Sequence, residues 1–242
     1  LSFRYLSYAA KVTSLEWIKL IDLLGVDYIS DSSLTGWSNS CTYYCNGYYI
    51  IGGYECFGAG ASTQKTYAIT QAHYQVSVWF VAYWIDSWDS EELLQLYVDG
   101  TQRFSQAKPG SMGYLCGIHA SYYEDYYAGV STSAFSHTSS SITLRFTSTL
   151  DQGSTDESFG FRDILITIWP CDTACSACYG NLISQCTSCN SGYYLSGNTC
   201  VTDCGAYYWN NPTGRVCSRN FYLNFHSIYT FFFSLSFFLL WL

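Results

Sequence analysis

Two groups of residues in this chain could do chemistry. Eight cysteines fall within 47 residues, Cys171 to Cys217, spaced C-x3-C-x2-C-x7-C-x2-C-x10-C-x3-C-x12-C. A segment this short cannot bury enough apolar surface to fold on a core alone, so metal or disulfides must hold it. Carboxylates crowd two loops, Asp86-Ser-Trp-Asp89-Ser-Glu91-Glu92 and Asp151-Gln-Gly-Ser-Thr-Asp156-Glu157. Calcium takes six to eight hard oxygen ligands, which makes Asp86, Asp89, Glu91, Asp151, Asp156 and Glu157 candidate ligands. Neither loop has EF-hand spacing, and solvated turn carboxylates explain the same residues equally well. An ion here would tie loops together and not do chemistry; no cofactor is required.

Cys175-x2-Cys178-x7-Cys186-x2-Cys189 could form a four-thiolate zinc site, as in an intracellular zinc protein. That leaves Cys171, Cys200, Cys204 and Cys217 unexplained. Disulfides use all eight, and an even cysteine count in a tiny Gly- and Asn-containing segment favours an oxidising compartment. The expected location is the cell surface, facing outward.

Residues that would select an enzymatic reaction are missing. There is no Gly-x-Ser-x-Gly elbow, no His-Glu-x-x-His and no phosphate loop; His73, His119 and His137 stand isolated. Paired carboxylates could serve glycoside hydrolysis, but nothing selects it, so the chain reads as non-enzymatic. With ten Lys+Arg, net charge −8 and no basic run, it also lacks the clustered positive surface that nucleic acid needs. Charged residues make up 12 %, against about 25 % in an average soluble domain; Tyr, Ser, Thr and Gly supply the polarity instead.

The elements that would position these groups are mostly strands. Tyr74–Ile85 alternates, with Val76, Val78, Phe80, Ala82 and Trp84 on one face. Leu93–Val98 precedes Asp99-Gly100, a type I′ hairpin turn. Ser141–Thr149 and the run Ile164, Ile166, Ile168 follow, with Tyr48–Ile51 and Thr63–Ile69 as weaker strands. Many short strands and few helix signals predict an antiparallel β-sandwich. Thr13–Leu24 has the form of a short capped helix. Residues 220–242 carry no charge and read as a transmembrane helix or a removable C-terminal anchor signal, or as translation past a gene boundary. The first residue is Leu, as in a fragment or processed chain. The expected partition is an N-terminal segment (1–34), a sandwich (35–169), a cysteine module (170–218) and an apolar tail that contacts a membrane (220–242).

An ordered set of motifs between Gly36 and Trp169 resembles a domain of ciliated-protozoan surface proteins. The set is Gly36-Trp37, Ile50-Ile-Gly-Gly-Tyr-Glu-Cys-Phe-Gly58, His73-Tyr-Gln75, Trp84-Ile-Asp-Ser-Trp-Asp89, Val98-Asp-Gly100, Leu115-Cys-Gly117, Thr147-Ser-Thr-Leu-Asp151 and Asp156-Glu-Ser-Phe-Gly160. The resemblance implies a jelly-roll-like sandwich, similar to galactose-binding-like domains, ahead of cysteine-rich repeats. That family pairs a cysteine after Gly-Trp with the one in Leu-Cys-Gly. Cys45 and Cys56 are extra here, and the expected bridges are Cys41–Cys116 and Cys45–Cys56.

The cysteine module resembles the furin-like repeat of growth-factor receptors, through Cys171-x3-Cys175-x2-Cys178, Cys186-x2-Cys189, Ser191-Gly-Tyr-Tyr-Leu195 and Cys200-x3-Cys204-Gly. This resemblance implies the pairs Cys171–Cys178, Cys175–Cys186, Cys189–Cys200 and Cys204–Cys217. The sequence thus reads as a membrane-anchored surface protein that binds or scaffolds, with a glycan or a surface protein as partner. In the alternative, a calcium-assisted lectin, Trp37, Trp79, Trp88 and the pairs Tyr122-Tyr123 and Tyr126-Tyr127 would stack on sugar.

Overall fold

The computed structural model describes residues 27–219. The helix expected over 13–24 and the apolar tail 220–242 lie outside the described residues. The described chain is mainly β and antiparallel, with a disulfide-rich C-terminal region. It divides into two compact units. One takes in the residues up to Gln71 with Gln75–Pro170, and the other Ala72–Tyr74 with those from Cys171 onward.

The first unit is a sandwich of two sheets. Its larger sheet contains β1 (Asp27–Asp31), β2 (Thr42–Cys45), β3 (Tyr48–Gly52), β5 (His73–Asp86), β8 (Tyr126–Ser131), β9 (Phe135–Ser136) and β11 (Glu157–Pro170). The strand path is β2-β3-β11-β5-β8, with β1 paired to β11 and β9 to β5. The smaller sheet runs β4 (Ser62–Ala68), β10 (Ser141–Ser148), β6 (Leu94–Val98), β7 (Thr101–Gln106). The sandwich begins before residue 35, because β1 pairs Asp27–Asp31 with Ile164–Ile168 of β11.

Period-two alternation decides what faces inward. Val76, Val78, Phe80, Ala82 and Trp84 of β5 meet Ile142, Leu144 and Phe146 of β10 and Leu94, Leu96 and Val98 of β6 in one core. Aromatic rings fill its centre: Phe146 stacks on Phe161 at 3.8 Å between centroids, and Phe80 meets Phe146 edge-on at 4.9 Å. The Asp99-Gly100 turn has positive φ at both residues, as a type I′ turn requires. Asn46-Gly47 does the same between β2 and β3.

The C-terminal half of β5 departs from alternation, for every residue from Val81 to Asp86 is buried. Its outer face carries a second cluster of Val81, Tyr83, Ile85, Ile50, Cys45 and Cys116.

The second unit has little hydrocarbon to bury. Its buried hydrophobic cluster is Ala174 and six half-cystines: Cys171, Cys175, Cys178, Cys186, Cys189 and Cys200. Sulfur takes the place of a core. The strands are a hairpin of β12 (Cys175–Cys178) and β13 (Cys186–Cys189), and a small sheet ordered β15 (Thr199–Val201), β14 (Tyr194–Ser196), β17 (Val216–Arg219), β16 (Tyr208–Asn211). Bridges join Cys171 to Cys178, Cys175 to Cys186, Cys189 to Cys200 and Cys204 to Cys217, with Cα separations of 5.6, 5.3, 5.7 and 5.3 Å. Each closes a short loop and contributes about 2–4 kcal/mol. All four thiols of the zinc alternative are spent in these bridges.

Two outcomes check this architecture. Phe146→Ala should lower unfolding free energy by about 3–5 kcal/mol, read from denaturant midpoints, because it empties a large ring from a fully buried site. The native protein should release no thiol to Ellman's reagent until reductant is added, since the described residues hold no free cysteine.

Candidate functional site

Three features of the sandwich merit a site's description: a stapled aromatic hairpin, a buried carboxylate pair, and a second carboxylate group where two loops meet.

The hairpin β2–β3 is held at both ends by covalent bonds. Its register pairs Cys45 with Tyr48 at the Asn46-Gly47 turn and Thr42 with Ile51 and Gly52 at the open end. Cys41 therefore lies at the open end, about 13 Å from Cys45 along an extended strand. Cys56 lies just beyond that open end, past the Gly52-Gly53 turn. The bridges follow: Cys41 joins Cys56, and Cys45 joins Cys116. The expected pairs Cys41–Cys116 and Cys45–Cys56 are corrected accordingly. No bridge from Cys45 could reach Cys56 across the length of the hairpin. The Asn-Gly dipeptide is the sequence signal that would have given this register.

Between these staples sit three exposed rings. Tyr44 and Tyr49 are 58 % and 60 % exposed and pair edge-to-face at 5.2 Å across the strands. Tyr48, also exposed, lies under the Arg162 guanidinium at 4.0 Å. Arg162 in turn donates from Nε to the hydroxyl of Tyr83 at 3.0 Å and pairs with Asp163. Trp79 stands exposed on β5, with its indole over Gly129 of β8. The other aromatics singled out in the sequence are placed differently. Trp37 and Trp88 are buried. Tyr126 packs against Trp84, and Tyr127 stacks on Tyr83 at 5.4 Å. Tyr122 is exposed.

The carboxylate pair is Asp86 and Asp125. Both are buried, and Asp86 adopts a φ of 68°. The Asp86 N–H donates to Asp125 Oδ1 at 2.9 Å, and Asp125 Oδ2 accepts from the N–H groups of Leu115 and Cys116. Asp86 Oδ1 accepts from Ile118 N–H at 2.9 Å, while Oδ2 has no partner. Lys108 Nζ donates to the Asp86 carbonyl at 2.7 Å and to that of Glu124. Asp86 is thus a brace for the loop that carries Cys116. Gly117 is required there, because its φ is 61° and a Cβ would strike the Asp86 carboxylate. Burial pushes the Asp86 carboxyl up to about 7; the Ile118 N–H pulls it back and the Asp125 charge adds to the rise.

The second carboxylate group is Glu92, Asp151 and Glu157; one oxygen from each lies within 4.8 Å of the other two, and the three could hold a metal ion. Both sequence-predicted acidic loops reach the same end of the sandwich, because each connects one sheet to the other. They are laced together by Ser87 Oγ to Asp156 O (2.9 Å), Trp88 Nε1 to Ser158 O (2.8 Å) and Thr149 N–H to Leu93 O (3.0 Å). Asp151 and Glu157 of the predicted ligands belong to the group. Asp86 does not, nor does Asp156, which faces Ser87. Asp89 and Glu91 are exposed, and Asp89 enters through its N–H, which donates to Glu92 Oε2 at 2.7 Å. Glu92 was not among the predicted ligands, although it stands in the first loop. Burial raises the Glu157 carboxyl well above the usual carboxylate range, and Glu92, Asp151 and Asp89 push the same way.

No family model and no curated protein matches the chain. Among solved structures, it is similar to the CBM36-1 domain of a multidomain xylanase from the hindgut metagenome of Trinervitermes trinervoides. Identity there is 13 % and the TM-score 0.36, over 58 % of this chain and 95 % of that one. A CBM36 carbohydrate-binding module in complex with calcium and xylotriose gives 7 % and 0.31, over 57 % and 97 %. Latent PorU from Porphyromonas gingivalis gives 9 % and 0.38, over 59 % of this chain and 12 % of that one. At these scores the likenesses carry nothing about ligand or activity.

Asp86 makes one pH dependence testable. A carboxyl whose folded-state pKa is raised stabilises the fold fully below its unfolded value, and that stability is lost as pH rises through the folded value. Melting temperature should therefore fall between about pH 4 and pH 7. Asp86→Asn, which tolerates the positive φ, should flatten the slope; Asp125, also raised by burial, contributes with the same sign.

Proposed function

We propose that this is an extracellular, non-catalytic binding protein whose sandwich recognises carbohydrate. Six disulfides with no free cysteine among the described residues support the extracellular part. The absence of a nucleophile–base motif in the sequence supports the non-catalytic part. The apolar run 220–242 adds a membrane anchor to the reading.

The observation that carries the ligand class is the β2–β3 platform. Tyr44 and Tyr49 are cross-strand partners exposed on one face of a hairpin with a disulfide at each end, while Tyr48 lies on the opposite face under Arg162. Large rings exposed on a rigid frame cost little ordering entropy on binding, and tyrosine adds a hydroxyl at the edge of an apolar face. A pyranose ring offers the complement, a flat C–H face rimmed by hydroxyls. The sequence's low charge content fits a neutral ligand better than an ionic one.

A glycan array followed by titration of the best hit tests this reading. Binding is expected, and Tyr44→Ala/Tyr49→Ala should weaken it about tenfold or more, equivalent to about 1.4 kcal/mol. A silent array, or an unaltered affinity in the double variant, would overturn the glycan reading at this platform.

A further inference from the structure

Glu157 poses a physical problem. Its side chain is completely buried, at 0 % exposure, and no N–H or hydroxyl donor meets either carboxylate oxygen; the group within hydrogen-bonding reach is another carboxylate, Glu92. An ionised carboxylate in that position is strongly unfavourable unless something of opposite charge meets it. The neighbours make matters worse, for they are Glu92, itself 6 % exposed, and Asp151. None of the salt bridges among the described residues reaches any of the three. Two solutions exist: Glu157 keeps a proton and shares it with Glu92, or a cation sits among the three groups.

The surroundings are arranged for the second. Both oxygens of Glu92 are already fixed by backbone donors, Oε2 by Asp89 N–H at 2.7 Å and Oε1 by Asp151 N–H at 3.3 Å. Those bonds aim and hold the carboxylate while leaving each oxygen a free lone pair. Asp151 is exposed, so the group opens to water on one side and an ion has a way in. We infer that Glu92, Asp151 and Glu157 form a binding site for one hard divalent cation, calcium, which clasps the 87–93 and 149–156 loops together.

The donor set argues for calcium by its chemistry. All three ligands are oxygen, with no His or Cys in the group, which disfavours zinc. Calcium at 2.3–2.6 Å from each oxygen spans pairs up to about 5 Å apart, and the three groups lie within 4.8 Å. Water on the Asp151 side completes the coordination. Three carboxylates and a partly open shell place the affinity in the range of extracellular modules, a Kd of about 10⁻⁴–10⁻³ M. The inference is independent of the glycan reading, and its test contains no sugar.

The intact protein is stripped with EGTA and followed two ways: by thermal melting against added calcium, and by terbium luminescence excited through tryptophan. Trp88 is the antenna, because its indole donates to Ser158, the residue next to Glu157. Calcium should raise the melting temperature and displace terbium. Glu157→Gln should lose both responses, and Glu91→Gln, changed at an exposed neighbour in the same loop, should keep both. If Glu157→Gln fails to fold, Asp151→Asn at the exposed ligand should weaken calcium at least about tenfold. Wild-type protein with no calcium shift and no terbium signal at millimolar ion would overturn the inference in favour of the shared proton. So would a response that the variants leave unchanged.

Discussion

Face-to-face burial of two sheets around Phe80, Phe146 and Phe161 is the constraint on which the sandwich depends. It requires that β5 and β11 lie in one sheet and β6 and β10 in the other. Every connection β5→β6 or β10→β11 must then cross from sheet to sheet at the same end of the sandwich. That is why two acidic loops about sixty residues apart are laced by hydrogen bonds, and why Glu157, the first residue of β11, is drawn into a buried position beside Glu92. The carboxylate group is a consequence of how the core closes.

The outer face of the larger sheet obeys a second constraint. A sheet covered on one side only would leave Val81, Tyr83 and Ile85 in water. The loop carrying Leu115 and Cys116 covers them, tied down by the Cys45–Cys116 bridge and braced from beneath by Asp86 and Asp125. A loop laid over a sheet must satisfy its backbone N–H groups, and the two buried carboxylates accept three of them, from Leu115, Cys116 and Ile118. The same bridge fixes the turn end of the β2–β3 hairpin. The aromatic platform is thus rigid because of what covers the sheet beside it.

In the second unit covalent chemistry replaces burial. Six half-cystines and one alanine make up the buried hydrophobic cluster, so its strands hold their places through sulfur. Short-range pairing, with each bridge closing a loop of 7 to 13 residues, makes this unit a local structure. Its bridges depend on neighbours in sequence, whereas Cys45–Cys116 spans 71 residues.

Local information was legible in the chain to the same extent that the structure is local. The alternation of β5 and β10, the Asp99-Gly100 turn and the even cysteine count follow from period-two geometry, positive-φ preference and thiol chemistry, all readable within a few residues. β1, β2, β8 and β9 leave little trace in the sequence, because short strands with Tyr, Ser and Thr on both faces carry weak alternation and gain their pairing from neighbours. The two bridges of the sandwich were misassigned because pairing there depends on hairpin register and on a loop folded over the opposite face. Composition likewise marked Asp151 and Glu157 as acidic but could not choose among the carboxylates. Only the crossing of the two loops selects Glu92 over Asp89, Glu91 and Asp156, and turns Asp86 toward Asp125. By itself the sequence determined a β architecture, an even number of cysteines and a stock of acidic and aromatic side chains. Tertiary structure decided which of them meet, since burial and proximity between residues far apart in the chain exist only once the sheets have closed.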